Sequence, residues 1–216
     1  VTCKTMNIYE KRKLALAIND KGYRFLCVHM PRIYSFVWKR QRYANPEDRY
    51  KNAIQGQIKG PSKDILAELE AFRPDSVLCT HIYAAVAMTN LTRFRKTAVP
   101  FYSILTDYAL HPFWESAIYA RSIFTPSDIL THELLRKGYR REQLTVTGFP
   151  THPKFDSEYP KEQMRLRLNL QPQTFTIIVM SGGYGLGNTV KLLDAIQRAN
   201  RPVQIVCING RNERMQ

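Results

Sequence analysis

The chain has 216 residues, of which 44% are hydrophobic and 23% are charged, so it is long enough for one large domain or for one domain and part of a second. Lys and Arg number 32 against 18 Asp and Glu, and the formal charge of +14 predicts a polyanionic partner: nucleic acid, anionic lipid or a phosphorylated ligand. No apolar run approaches the roughly 18 residues of a membrane-spanning helix, so any membrane contact is expected to be peripheral.

The first part of the chain is predicted to be mainly helical. Apolar residues at helical spacing predict a helix over 4–19, which Gly22 would end. The polar stretch 48–60 is predicted to be partly helical, and a firmer helix is expected to open at Pro61 and Ser62. The apolar face of this second helix would consist of Ile65, Leu66, Leu69 and Phe72.

Residues 33–43, IYSFVWKRQRY, interleave aromatic rings with Lys39, Arg40 and Arg42. Such a segment can lie in a lipid headgroup layer, with its rings dipping in and its cations pairing with anionic heads. It can equally pack its rings inside the protein and leave its charges in solvent. Both interpretations remain open at this point.

Beyond Pro74, short apolar runs alternate with helical segments. Helices are predicted over 84–91 and between Ser127 and Gly138. This alternation is typical of a parallel sheet covered by helices on both faces, which is an α/β fold. The predicted strands cover 76–80, 99–105, 117–124 and 143–147.

The last part of the chain changes character. Four prolines punctuate a polar stretch that contains a predicted helix over 161–168, and we interpret this stretch as an interdomain connector. A strand, a glycine-rich loop, a helix and a strand then follow, which is the opening βαβ order of a Rossmann-like domain. The predicted organisation is a first domain over 1–150, a connector over 151–173 and the start of a second domain over 174–216.

The glycine-rich loop, MSGGYGLGN, lies between the predicted strand over 174–180 and the predicted helix over 188–199. Its glycines would let the backbone approach a phosphate, and the helix would direct its free N–H groups at the anion. A plain tight turn is the alternative. No Gly-Lys-Ser/Thr follows, and no acidic residue ends the next strand, so a Walker loop and a dinucleotide site are disfavoured. The glycines concerned are Gly182, Gly183, Gly185 and Gly187.

The segment TDYALHPFW places three candidate site residues just past a predicted strand, at the mouth of the sheet. Asp107 and His111 can handle protons or bind sugar hydroxyls, and Trp114 offers a flat surface for a lipid or a sugar ring. The alternative is that Asp107 caps a turn, His111 is at the surface and Trp114 is in the core. His81 also follows a strand, and it either faces the same cleft or is structural.

Four segments, in combination and order, resemble the diacylglycerol glycosyltransferases, a family that includes the monogalactosyldiacylglycerol synthases and the processive diacylglycerol glucosyltransferases. The resemblance extends from about Tyr23 to Arg214. It implies a GT-B fold, in which a Rossmann-like N-terminal domain binds diacylglycerol at the membrane and a C-terminal one binds a UDP-sugar. Transfer would be inverting. The segments are FRPDSVLCTH, TDYALHPFW, the SDILTHELLRKGY…LTVTGFP run and MSGGYGLGN.

The resemblance also implies roles for the candidate residues. Asp107 and His111 become catalytic candidates, while Trp114 and His81 become acceptor-binding candidates. The Asp-to-His spacing is that of the bacterial glucosyltransferases, which favours glucose over galactose. The family holds the diphosphate with backbone donors, so no metal and no cofactor beyond the donor substrate are expected. Donor-binding candidates are Gly182, Gly183, Gly185, Gly187 and Asn212, the last of which stands with Gly210 in INGRNE.

The family's Gly-Gly-His loop, which carries the favoured general base, does not occur in this sequence. The chain is therefore expected to be a fragment that lacks its first βα unit and is inactive alone. Its parent is expected to be bacterial and cytoplasmic, on the inner face of the cell membrane. Partners would be a UDP-sugar, diacylglycerol and an anionic membrane surface, with no nucleic acid.

Other interpretations remain open. One is a related enzyme, either a UDP-sugar transferase acting on a polyprenyl-linked cell-wall precursor or a UDP-sugar epimerase. Another is a non-catalytic remnant. A basic nucleic-acid-binding module would need clustered cations with stacking aromatics or a known reading motif, and the sequence has neither. Cys3, Cys27, Cys79 and Cys207 lie far apart without a CxxC pair, which predicts reduced thiols and no metal site.

Overall fold

The computed structural model describes residues 1–12, 21–22, 25–26, 29–43, 55–183, 188–210 and 212. The chain divides into two compact units, Val1–Pro150 and Thr151–Gln216. None of the helices in the described ranges is long and apolar enough to cross a bilayer.

The first unit contains one parallel sheet whose four strands are neighbours in chain order. The strands are β1 (Val77–Cys79), β2 (Phe101–Ile104), β3 (Ser122–Thr125) and β4 (Leu144–Val146). Because all four run in one direction, the loops that follow them meet at the same edge of the sheet. The described helices are α1 (Pro31–Tyr43), α2 (Gln55–Phe72), α3 (Ile82–Arg93) and α4 (Asp128–Arg136).

The core of this unit lies where α3 packs against β1 and β2. α3 is buried along most of its length because small and apolar residues, from Ala85 to Met88, occupy successive positions. The largest fully buried side chains are Trp114, Phe101, Met88, Leu105, Ile123 and Leu134.

Helix α4 begins and ends as the sequence predicts. Ser127 is its N-cap, with the Oγ atom accepting a hydrogen bond from Leu130 N at 3.4 Å. Gly138 follows the helix with φ +91°, a left-handed conformation that glycine adopts without strain. A buried contact of 2.6 Å between the hydroxyls of Thr125 and Thr131 fixes the helix against β3.

The helix predicted over 4–19 is wrong for its described part. Residues 4–7 have no regular structure and 8–11 form a turn, while 13–19 lie outside the described residues. The side chain of Asn7 accepts a hydrogen bond from Tyr9 N at 3.0 Å, a local turn that competes with helix formation. Arg12 then pairs with Asp64 of α2 at 2.8 Å and holds the segment in place.

Two other predicted boundaries are also corrected. Helix α2 begins at Gln55 and continues through Pro61, because Ile58 (2% exposed), one turn before the proline, is buried in the core. The third strand begins at Ser122 instead of residue 117, since a 3-10 helix, Pro112–Ser116, and a turn occupy the preceding stretch.

The second unit contains a 3-10 helix, Pro153–Phe155, and α5 (Lys161–Arg167), followed by β5 (Phe175–Met180), α6 (Thr189–Arg198) and β6 (Val203–Ile208). β5 and β6 pair in parallel along six residues, from Phe175 opposite Val203 to Met180 opposite Ile208. Both units therefore confirm the predicted α/β class with parallel strands.

Candidate functional site

Both predicted site histidines begin helices at the carboxyl edge of the first sheet. His81 follows β1 and is the N-cap of α3, and its Nδ1 accepts a hydrogen bond from Tyr83 N at 3.3 Å. His111 follows β2 and is the N-cap of the Pro112–Ser116 3-10 helix, and its Nδ1 accepts from Phe113 N at 3.2 Å. The two imidazoles are held in the same way.

These caps determine which ring nitrogen carries the proton. A backbone N–H can only donate, so Nδ1 of each ring must present its lone pair. The proton of a neutral imidazole is then on Nε2. His81 and His111 therefore each offer an Nε2–H donor. Because Nε2 already carries a proton, it cannot accept another one.

Asp107 interacts electrostatically with His81. It is exposed, and among the described residues its carboxylate accepts no hydrogen bond, so the turn-capping alternative is not what the structure shows. Although Asp107 is exposed as a whole residue, partial burial of its carboxylate raises the pKa of Asp107, while the charge of His81 acts to lower it. The carboxylate of Asp107 in turn opposes the effect of burial, which lowers the pKa of His81. Asp107 and His81 thus interact with each other electrostatically.

The third member of the cluster is held neutral. Burial, followed by the charge of His81, lowers the pKa of His111 to about 4. An N-cap position adds to this effect, since the positive end of a helix disfavours a cation. The cluster of His81, Asp107 and His111 thus combines two N–H donors with one carboxylate acceptor, which is the complement that binds a hydroxyl group.

Trp114 does not face this edge of the sheet. It is 1% exposed and belongs to the core, so the alternative of a core residue is the one observed. The hydroxyl of Tyr139, just beyond α4, donates a hydrogen bond to the carbonyl of Trp114. Trp114 thus anchors the loop that carries His111, and the acceptor-binding role of its ring stays a prediction.

The glycine-rich loop of the second unit is described only in part. Gly182 has φ +69°, and Gly183 follows it, whereas Gly185 and Gly187 lie outside the described residues. Ser181 leads into this loop: its hydroxyl lies 2.6 Å from that of Thr189, and its N–H donates to Ile208 O at 3.3 Å. The loop is therefore tied both to the first turn of α6 and to the end of β6.

The segment after β6 lies against the same loop. A Cβ at Gly210 would come within 2.5 Å of the carbonyl oxygens of Gly182 and Gly183. Asn212 closes a turn there by donating its N–H to Asn209 O at 3.1 Å. The predicted donor-binding residues that are described, Gly182, Gly183 and Asn212, thus lie on two loops that adjoin each other.

An aromatic series around the histidines was missed by the sequence reasoning. The rings of His81 and Tyr83 lie 5.2 Å apart, and Tyr83 lies 5.9 Å from Phe113. Burial, followed by the charge of Tyr34 on α1, raises the pKa of Tyr83. Tyr34 of α1 therefore interacts electrostatically with Tyr83, the aromatic neighbour of His81. The available signal was the position of the aromatics two residues after each histidine.

Helix α1 presents an apolar and basic face to solvent. Ile33 is 48% and Phe36 is 65% exposed, and Arg32, Lys39 and Arg40 are exposed beside them. Arg32, Phe36 and Lys39 recur at intervals of four and three residues, which places them on one stripe of the helix. Of the two interpretations open for 33–43, these side chains agree with the exposed one.

Within the described ranges, no group of three His, Cys, Asp or Glu side chains is placed to hold a metal ion. Cys3, Cys79 and Cys207 are free thiols, and burial raises the pKa of Cys79 to about 12. Cys27 lies outside the described residues.

Comparison with known proteins finds a protein family that matches most of this chain. The sequence model described as monogalactosyldiacylglycerol (MGDG) synthase matches residues 3–151. A processive diacylglycerol beta-glucosyltransferase of Staphylococcus carnosus is 28% identical over 180 residues, covering 82% of this chain and 44% of its own. A chloroplastic monogalactosyldiacylglycerol synthase of Spinacia oleracea is 25% identical over 207 residues, covering 90% of this chain and 38% of its own.

A solved structure, the apo form of the lipopolysaccharide outer core galactosyltransferase WaaB, matches 70% of this chain and 41% of its own at 14% identity and a TM-score of 0.45. The chain spans less than half the length of each of these relatives.

Proposed function

Because this chain belongs to the monogalactosyldiacylglycerol synthase family, we propose that the protein moves a hexose from a UDP-sugar to diacylglycerol and so makes a glycolipid. The observation that carries the proposal is the family match over residues 3–151, the part of the chain that also contains the cluster of His81, Asp107 and His111. The family members compared above bear names with the same acceptor, diacylglycerol, which is why this lipid is preferred to a polyprenyl-linked acceptor.

The cluster would bind the acceptor hydroxyl. In the reaction, the acceptor oxygen forms a bond to the anomeric carbon, the bond from that carbon to the UDP oxygen breaks, and the hydroxyl proton leaves to a base. The Nε2–H groups of His81 and His111 would donate to the acceptor oxygens. Since a neutral imidazole of this tautomer cannot take the proton at Nε2, the proton-accepting member of the cluster would be Asp107. Of the two predicted catalytic candidates, Asp107 is thus preferred to His111 as the base.

The second unit would hold the donor. The loop that begins at Ser181 leads into the N-terminus of α6, where free backbone N–H groups and the helix dipole favour a diphosphate. The bond between the hydroxyls of Ser181 and Thr189 supports this role because it fixes the start of the loop. In this proposal the two units form a GT-B enzyme. Glucose is the preferred sugar, on the basis of the spacing between Asp107 and His111 in the sequence.

Helix α1 would bring the protein to an anionic membrane. Its exposed Ile33 and Phe36 can enter the headgroup layer while Arg32 and Lys39 pair with anionic heads. The electrostatic interaction between Tyr34 and Tyr83 supports this assignment, because the ring of Tyr83 lies 5.2 Å from that of His81, one of the residues that would bind the lipid hydroxyl.

The test is a transfer assay on the complete product of the gene that encodes this chain. It is incubated with UDP-glucose or UDP-galactose and vesicles that contain diacylglycerol, and in parallel with a polyprenyl-linked acceptor. We expect hexose on diacylglycerol, with UDP-glucose as the better donor. Transfer to the polyprenyl lipid without transfer to diacylglycerol would overturn the proposal.

A further inference from the structure

An aromatic pair, one exposed ring on a half-buried one, includes the residue that directly follows Asp107 of the proposed hydroxyl-binding cluster. Tyr108 directly follows Asp107 in the loop after β2, and its side chain is 89% exposed. Its ring centroid lies 4.5 Å from that of Phe149, and the two ring planes are inclined at 58°. Phe149 belongs to the loop after β4, so the pair joins two loops at the carboxyl edge of the sheet.

The backbone near Phe149 is fixed, although the Tyr108 ring is open to solvent. Gly148 has φ +78°, a left-handed conformation that turns the chain between β4 and Phe149. Thr147 N donates to Thr125 O at 2.9 Å, which extends the pairing of β4 with β3 up to this turn. The position of Phe149 is thereby set by the sheet, and its contact with Tyr108 sets the ring of Tyr108. Since that ring is almost fully exposed, it adds little to the core, and core packing does not account for it.

The surroundings of Tyr108 match the two sides of a pyranose ring. A sugar has a face of C–H groups, which packs on an aromatic ring, and a rim of hydroxyls, which needs hydrogen-bond partners. Thr106 and Asp107, both exposed, precede Tyr108 in the same loop and carry a hydroxyl and a carboxylate that can act as such partners. An acyl chain would instead need an apolar groove, and it would gain nothing from a neighbouring carboxylate.

We propose that Tyr108 and Phe149 form a stacking platform for a hexose ring, and that Asp107 binds a hydroxyl of the same sugar. The platform rests on the proposed function, in which both donor and product carry a hexose. It assigns Tyr108 as the ring that contacts the sugar and Phe149 as a positioning residue that holds this ring. The platform would thus select ligands by their sugar, independently of their lipid chains.

The test measures binding of methyl β-glucoside to the 216-residue chain by saturation-transfer NMR. A stacked sugar receives the strongest saturation at the C–H protons of one ring face. Tyr108→Ala is expected to weaken the affinity about tenfold, since loss of an aromatic stacking contact is worth roughly 1.4 kcal/mol. Tyr108→Phe keeps the ring and is expected to stay within about twofold of the unchanged chain. Phe149→Ala is expected to weaken binding less than Tyr108→Ala does.

The matched control is Tyr119→Ala, because Tyr119 is also an exposed tyrosine (46%) but precedes β3, at the opposite edge of the sheet. It is expected to bind the sugar like the unchanged chain. The platform is overturned if Tyr108→Ala binds methyl β-glucoside as well as Tyr119→Ala does, or if Tyr108→Phe loses as much as Tyr108→Ala. Circular dichroism of each variant separates a lost contact from a lost fold.

The outcome of this binding experiment is independent of the outcome of the transfer assay. Hexose transfer to diacylglycerol with sugar binding that is unaffected by Tyr108→Ala would leave the proposed function standing and remove the platform. Tyr108-dependent sugar binding without transfer would keep the platform and remove the proposed function. In a parallel measurement with glycerol, which has hydroxyls but no ring, binding is expected not to depend on Tyr108.

Discussion

The backbone of Gly210 lies so close to Gly182 that a Cβ at position 210 would be 2.5 Å from the carbonyl oxygen of Gly182. The same Cβ would meet the carbonyl oxygen of Gly183 at 2.5 Å. Real Cβ atoms do not approach backbone oxygens to this distance, so only glycine fits here without moving a loop. Position 210 also has φ +55°, which costs an L-residue roughly 1 kcal/mol or more. The loop after β5 and the segment after β6 therefore constrain each other.

We predict that Gly210→Ala loosens the second unit. The clash is with backbone, which cannot turn aside as a side chain can, so the loop must move and the pairing of β5 with β6 is weakened. Faster amide hydrogen exchange in β5 and β6 would report this change. The control is Gly182→Ala, which has a similar φ of +69° but no atom within 4 Å of the added Cβ. Equal exchange in the two variants would contradict the prediction, because the backbone contact would then have no effect.

A second prediction concerns pH and His111. The folded chain holds the pKa of His111 at about 4, against an ordinary value of 6.5. As pH falls below 6.5 the unfolded chain takes up the proton first, so the free energy of unfolding decreases between pH 6.5 and 4. His81, whose pKa is also lowered, acts in the same direction, whereas Asp107, whose pKa is raised, acts in the opposite one.

The His111→Asn variant isolates this contribution. Asparagine can keep the N-cap by accepting the hydrogen bond from Phe113 N, but it does not titrate. We expect the unchanged chain to lose about 1 kcal/mol more stability than the variant between pH 7 and pH 5, after allowance for partial exposure. Urea unfolding at the two pH values measures the difference. Parallel losses in both proteins would mean that His111 is protonated in the folded state.

Much of this fold could be predicted because local chemistry and tertiary structure agree. Ser127 and Gly138 are residues that begin and end helices by their own hydrogen bonding and backbone freedom, and both do so around α4. The strands were predictable for the same reason, since their apolar runs are the parts of the chain that a parallel sheet buries. The chain also departs from prediction at Asn7 and Pro61, where a local turn in one case and core packing in the other prevail over helical spacing and proline preference.

The candidate site was predictable in position more than in detail. That His81 and Asp107 follow neighbouring strands could be read from the sequence, because parallel strands bring such loops to one edge. The tautomer of His111 could not be predicted from the sequence, because it depends on a 3.2 Å hydrogen bond from Phe113 N that only the folded backbone shows. The burial of Trp114 was equally undetermined, since an aromatic residue after a polar loop suits both a core and a surface.

A third prediction separates a packing role of Trp114 from a binding role. The side chain is 1% exposed, so Trp114→Ala should leave a cavity and cost roughly 3–5 kcal/mol of stability. Trp114→Phe should cost less, because it fills more of the space and removes an indole N–H that is buried without a hydrogen bond among the described residues. Urea unfolding measures both. If Trp114→Ala keeps its stability while binding of a lipid acceptor is lost, the ring faces a ligand and the packing role is wrong.

The last prediction concerns the basic face of α1. Arg32 and Lys39 are exposed on either side of Phe36, and each cation near an anionic bilayer contributes about 1 kcal/mol to binding. Reversing both charges, Arg32→Glu with Lys39→Glu, should therefore lower the partition of the chain onto anionic vesicles by at least about tenfold in co-sedimentation. Phe36→Ala should weaken the same binding through loss of apolar contact, but its effect should not depend on salt.

The control for that helix is a charge reversal elsewhere on the first unit. Lys63 is an exposed lysine of α2, and Lys63→Glu changes the net charge without touching α1. If binding follows net charge alone, reversing one lysine anywhere on the surface would have half the effect of reversing two. Lys63→Glu would then lose half as much binding free energy as the double variant does. If α1 is the contact surface, Lys63→Glu changes little, because at ordinary ionic strength a charge more than ~10 Å from the bilayer is screened from it. Retention on a DNA column that α1 variants abolish, without any vesicle binding by the unchanged chain, would instead assign this face to nucleic acid.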